Sequence, residues 1–130
     1  MGGDNAPASV IYGADIAKAQ ASHVEFIFVG DEARVRSLLE QTQHLRNAKI
    51  IHTDVAVAAE DTASQAVRRG RESSMWLAIG QVAGKKADAI VSAGNTGALM
   101  AMSKLQLRTM PGVTRPAIAG FFPTEQKRMC

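Results

Sequence analysis

Short apolar runs alternate with stretches of helical apolar spacing along most of this chain, and that alternation constrains the fold more than any other feature. Val24-Glu25-Phe26-Ile27-Phe28-Val29, Lys49-Ile50-Ile51-His52, Ala87-Asp88-Ala89-Ile90-Val91 and Ala117-Ile118-Ala119-Gly120-Phe121-Phe122 read as strands. Val10, Ile11, Ala14, Ile16 and Ala17 recur at helical spacing, with Pro7 allowed in the first turn and Asn5 as a cap. Asp31 is a good N-cap for a second helix through Leu38-Leu39. A third helix is predicted from Ser73 or Ser74 to Ala83, and a fourth over Thr96–Leu107. The residues between His52 and Ser73 are read as irregular. Strands joined through helices need crossover connections, and these build a parallel sheet of the α/β class.

The 130 residues make one domain's worth of chain, rich in Ala, Val and Gly and poor in aromatics. No apolar run is long enough to span a bilayer, and nothing resembles a signal peptide. A single cysteine, Cys130, excludes an internal disulfide and any cysteine-based metal cluster. These features point to the cytoplasm. The net charge of +3 is scattered, and Arg68-Arg69-Gly70-Arg71 reads as a solvated helix end. No aromatic residues interleave with the basic ones, so nucleic acid is not an expected partner.

The segment Ser92-Ala93-Gly94-Asn95-Thr96-Gly97 lies between a predicted strand and a predicted helix. Glycines there let backbone N–H groups approach an anion, and the helix N-terminus adds partial positive charge. Asn95 and Thr96 can donate side-chain hydrogen bonds to the same ligand. The same residues also suit a plain βα turn with Asn95 or Thr96 as cap. Both uses are open on this segment alone. It fits neither the dinucleotide glycine pattern nor the Walker pattern.

His23, His44 and His52 share no spacing that suggests a base or a ligand set, and the carboxylates are dispersed. No metal or cofactor is expected. Met100, Met102 and Met110 suit either core packing or the border of an acyl groove.

Met1-Gly2-Gly3-Asp4-Asn5 reads as a βα loop without its strand, and Cys130 follows a strand in mid-loop. The chain is therefore expected to be an incomplete α/β domain. Met1-Gly2-Gly3-Asp4-Asn5-Ala6-Pro7 resembles the first loop of the bacterial phosphate acyltransferases, the PlsX family of phospholipid synthesis. The likeness continues through Val29-Gly30-Asp31, Glu72-Ser73-Ser74-Met75, Ala89 to Met100, and Pro111-Gly112-Val113-Thr114-Arg115-Pro116-Ala117. Thr62-Ala63-Ser64 departs from the proline-containing segment common in that family.

The resemblance implies a three-layer α/β/α sandwich with a mainly parallel sheet, similar to phosphotransacetylases and the isocitrate dehydrogenase superfamily. In this comparison the first strand and the C-terminal half of the parent protein are missing. The implied reaction moves a fatty acyl group from acyl carrier protein to inorganic phosphate, and a membrane acyltransferase consumes the acyl-phosphate. A homodimer with peripheral membrane association is implied as well. Readings that compete with this one are a fragment that binds phosphate or acyl carrier protein without turnover, and a related enzyme using acyl-coenzyme A.

Phosphate is its own nucleophile in such a transfer, so no covalent enzyme intermediate is needed. The protein must hold phosphate near the carbonyl and stabilise the oxyanion. Gly94, Asn95, Thr96 and Gly97, with Ser92, suit phosphate binding. Gly2, Gly3, Asp4 and Asn5 form a second loop at the same sheet edge, so the two loops are expected to face one cleft. Asp4 has three possible uses: orienting Asn5, taking a proton from dihydrogen phosphate, or capping the helix. Ser73 and Ser74 are either paired N-caps or a third wall of the anion site. Arg115 is either a surface residue or a fixed positive charge for phosphate.

Overall fold

The computed structural model describes Gly3 and residues 5–120. Met1, Gly2, Asp4 and residues 121–130, with Phe121, Phe122 and Cys130, lie outside the described residues.

The described chain is α/β, with five helices and a two-stranded parallel sheet. Helix α1 spans Ala8–Gln20, strand β1 Ile27–Gly30, helix α2 Glu32–Leu39 and strand β2 Lys49–His52. Three further helices follow: α3 over Ala63–Arg69, α4 over Ser74–Ala83 and α5 over Thr96–Leu107. The sheet pairs Ile27 with Lys49 and Gly30 with His52 in register. Two parallel strands need a crossover, and α2 provides it.

Local chemistry explains most of the boundaries. Asp31 caps α2 by accepting from Arg34 N–H. Ser73 caps α4 through Trp76 N–H, and Asn95 caps α5 through Ala98 N–H. In α1 the cap position is Pro7 rather than Asn5, and no side chain caps it. Asn5 contributes its backbone carbonyl instead, which accepts from the N–H and Oγ of Ser9, both at 3.1 Å.

Two apolar cores result. One gathers Ile11, Phe28, Val35, Leu39 and Leu45 from α1, β1, α2 and the loop that follows. The other gathers Ala66, Met75, Ile79, Ala98 and Met102 from the last three helices. Met102 is thus fully enclosed core, whereas Met110 is exposed.

Three sequence expectations change here. Ala87–Val91 and the described part of the final predicted strand, residues 117–120, carry no strand structure. A strand exists through its ladder, and no described segment pairs with either run. Val91 is 89% exposed and Ile118 69%, while Ile90 alone leans on the second core. The stretch read as irregular contains α3. Its capping box joins Thr62 and Gln65: Thr62 Oγ1 accepts from Gln65 N–H, and Gln65 Oε1 accepts from Thr62 N–H.

Candidate functional site

A cleft of about 510 Å³ opens where three loops meet. Gly3, Ala6 and Pro7 form one wall, Asp54, Ala56, Val57 and Ala59 a second, and Ala93, Gly94 and Asn95 a third. Arg34, in the first turn of α2, completes the lining. Arg34 lies four residues past the end of β1 and Asp54 two past the end of β2, so the cleft sits at the carboxyl edge of the parallel pair. That edge is where open α/β sheets commonly bind ligands.

Backbone packing forces the two glycine loops together. Gly3 has φ +98°, and a methyl group on it would lie 2.9 Å from the carbonyl oxygen of Ala93. Only glycine supplies both that conformation and that approach without strain. The expected meeting of the two loops at one cleft is therefore observed through Gly3, Ala93, Gly94 and Asn95.

Asn95 organises the third wall. Its Oδ1 accepts from Ala98 N–H at 2.9 Å, which caps α5. Its Nδ2 reaches across to the carbonyls of Asp61 (2.8 Å), Ala59 (3.1 Å) and Ala58 (3.4 Å). Ser92 Oγ accepts from Gly94 N–H at 3.3 Å and tightens the same turn. The backbone N–H groups of Asn95, Thr96 and Gly97 donate to no described residue. Free N–H groups at a helix N-terminus suit an anion when a cleft adjoins them.

Asp54 has company at the rim. Glu32 N–H donates to His52 Nδ1 at 3.1 Å, which leaves Nε2 as the protonated nitrogen of a neutral ring. That Nε2 lies 3.5 Å from Asp54 Oδ1 and draws the carboxylate toward the end of β2.

Residues 1–130 match the family described as Fatty acid synthesis protein. The chain belongs to that family. It is 57% identical over 128 residues to the phosphate acyltransferase of Bradyrhizobium diazoefficiens, covering 97% of this chain and 36% of the relative. Identity to the phosphate acyltransferase of Parvibaculum lavamentivorans is 55% over 126 residues, covering 95% of this chain and 35% of the relative. That of Rhodospirillum centenum is 54% identical over 125 residues, with the same two coverages. The chain spans about a third of the length of these curated relatives. The motif resemblance and the family match agree.

Not every expected site residue reaches the cleft of this family member. Ser73 is fully buried, with its Oγ donating to the Gly70 carbonyl and accepting from Trp76 N–H. Ser74 is buried too, and its N–H donates to the Val55 carbonyl. Neither lines the cleft, and the exposed Arg115 does not either. Asn5 borders the lining loop, and Thr96 and Gly97 follow Asn95 in the first turn of α5. Asp4 lies outside the described residues. Arg34 and Asp54 were missed from sequence. Their signal was position alone, since both follow the carboxyl ends of parallel strands.

Proposed function

We propose that the chain is the N-terminal part of a phosphate acyltransferase of phospholipid biosynthesis. It moves a fatty acyl group from the thioester of acyl carrier protein to inorganic phosphate. The observation that carries the reading is the packing of Gly3 against Ala93, which joins two glycine loops at a cleft beside the N-terminus of α5. The family membership and the printed names of the relatives support it.

In this mechanism a phosphate oxygen attacks the thioester carbonyl, the C–S bond breaks, and the carrier thiolate leaves and takes up a proton. The protein's work is to hold phosphate beside the carbonyl and offset negative charge. The N–H groups of Asn95, Thr96 and Gly97 bind phosphate oxygens, and the Gly3 backbone lets the first loop close against Ala93 beside them. Asn95 fixes the loop in that shape through its amide. Asn5 borders the same wall, and Asp4 is the carboxylate assigned to the proton that dihydrogen phosphate releases. Ser73, Ser74 and Ser92 hold the neighbouring turns, and Arg115 is assigned to the phosphate side of the full-length site.

The full-length protein completes the sheet into a three-layer sandwich and acts as a cytoplasmic homodimer with peripheral contact to the membrane. Among the described residues no helix is long and apolar enough to cross a membrane. The test is acyl-phosphate formation by the full-length protein from acyl carrier protein thioester and phosphate, followed by phosphorus NMR. Phosphate-dependent appearance of the acyl-phosphate signal is expected. Hydrolysis to free fatty acid alone, or transfer only from acyl-coenzyme A, overturns the reading.

A further inference from the structure

We propose that Arg34 is the cationic ligand of the phosphate oxyanion in this cleft. The inference rests on the acyl-transfer reading above and adds to it a residue that neither the motifs nor the family match singles out.

Among the described residues that line the cleft, Arg34 is the one cationic side chain. Helix stability does not explain its place. It sits in the first turn of α2, where the partial positive charge of the helix N-terminus disfavours a cation. Its backbone N–H serves the Asp31 cap, and that contact needs no guanidinium. No ion pair between described residues includes Arg34, whereas Arg36, two residues on, holds Glu32 at 3.0 Å. One arginine of this helix is thus used within the fold, and the other faces a cleft.

Charge at the cleft supports the same assignment. Asp54 also lines it, yet its carboxylate leans toward His52 at 3.5 Å. The Asn95 amide is engaged by three carbonyls and the α5 cap. Among the described side chains that line the cleft, the Arg34 guanidinium is the cationic donor left to meet an anion, beside free backbone N–H groups such as those at the start of α5. A guanidinium can take two phosphate oxygens at once, and a lysine ammonium cannot reproduce that geometry.

The phosphate group recognised has two possible sources, free phosphate and the phosphodiester of the carrier's prosthetic arm. The proposal commits to the reacting, free phosphate. Inorganic phosphate is titrated calorimetrically into full-length wild-type protein, Arg34→Ala, Arg34→Lys and the control Arg36→Ala, with thermal unfolding measured in parallel. KM values for phosphate and for acyl carrier protein thioester are measured separately.

Arg34→Ala is expected to weaken phosphate binding about tenfold or more, with Arg34→Lys in between and Arg36→Ala within about twofold of wild type. KM for the carrier thioester is expected to stay within about twofold. Unchanged phosphate affinity in Arg34→Ala overturns the proposal, and so does an equal loss in Arg36→Ala, which signals general charge only. A rise confined to the carrier's KM also overturns it, because the cation then serves the carrier. Arg34-dependent phosphate binding in a protein that makes no acyl-phosphate keeps this assignment and removes the proposed reaction.

Discussion

Both ends of the Asn95 side-chain amide are engaged, one along the chain and one across it. The Oδ1 acceptor starts α5, and the Nδ2 donor holds the 58–61 loop. Substitution can separate the two roles. Asn95→Ala removes both and is expected to cost about 1–3 kcal/mol of stability, the usual range for a lost cap plus unpaired partners. Asn95→Asp keeps an acceptor for Ala98 N–H and loses the donor. Hydrogen exchange is expected to quicken over residues 57–61 in both variants and over the first turn of α5 only in Asn95→Ala. Unaltered protection of 57–61 in both variants contradicts the cross-chain role. Gly3 makes a second case. Gly3→Ala forces a methyl toward the Ala93 carbonyl at a backbone angle alanine rarely adopts. The expected result is weaker phosphate binding with only a small fall in melting temperature, because the strain falls on an exposed loop.

Helix α3 rests on little burial, since Ala66 is its one fully enclosed side chain. Its start depends on the Thr62–Gln65 box, so Thr62→Ala is expected to fray it at a cost of about 1 kcal/mol. Faster exchange confined to residues 63–69 is the expected signature, and unchanged exchange there shows that packing alone holds the helix. The same element marks where sequence reading stopped. Lys49–His52 and Thr96–Leu107 were legible to the residue, because a short β-branched run and an Asn cap act locally. Thr62-Ala63-Ser64-Gln65 carried an equally local signal that apolar periodicity passed over. Ala87–Val91 failed for another reason: apolar composition reports a wish for burial, while a strand needs a partner from elsewhere in the chain. The cleft divides in the same way. Its glycine turns were visible as motifs, but Arg34 and Asp54 enter it only through the pairing of β1 and β2.

At the scale of the whole molecule, two apolar cores must be held in a fixed relation if loops from both are to shape one cleft. A short polar junction does much of this. Thr53, one residue past β2, is 8% exposed and donates from Oγ1 to the Glu72 carbonyl at 2.6 Å. The same oxygen accepts from Val55 N–H at 3.2 Å, and Val55 in turn accepts from Ser74 N–H at the start of α4. The end of the sheet is thereby tied to the second core beside the Asp54–Ala59 wall. Close packing seals the second core nearby, where a methyl on Gly70 would meet the Ala66 carbonyl and lie 2.7 Å from Met102 Cε. Thr53→Val keeps the shape of the side chain and removes its hydroxyl, leaving the Glu72 carbonyl and Val55 N–H without that partner. Both bonds are only part-buried, so water meets some of the loss and the expected cost is about 1 kcal/mol. If the junction couples the cores, Thr53→Val lowers the melting temperature, quickens exchange across residues 53–59 and weakens phosphate binding, although Thr53 does not line the cleft. A loss of stability with phosphate affinity unchanged means that the junction supports the fold without shaping the site.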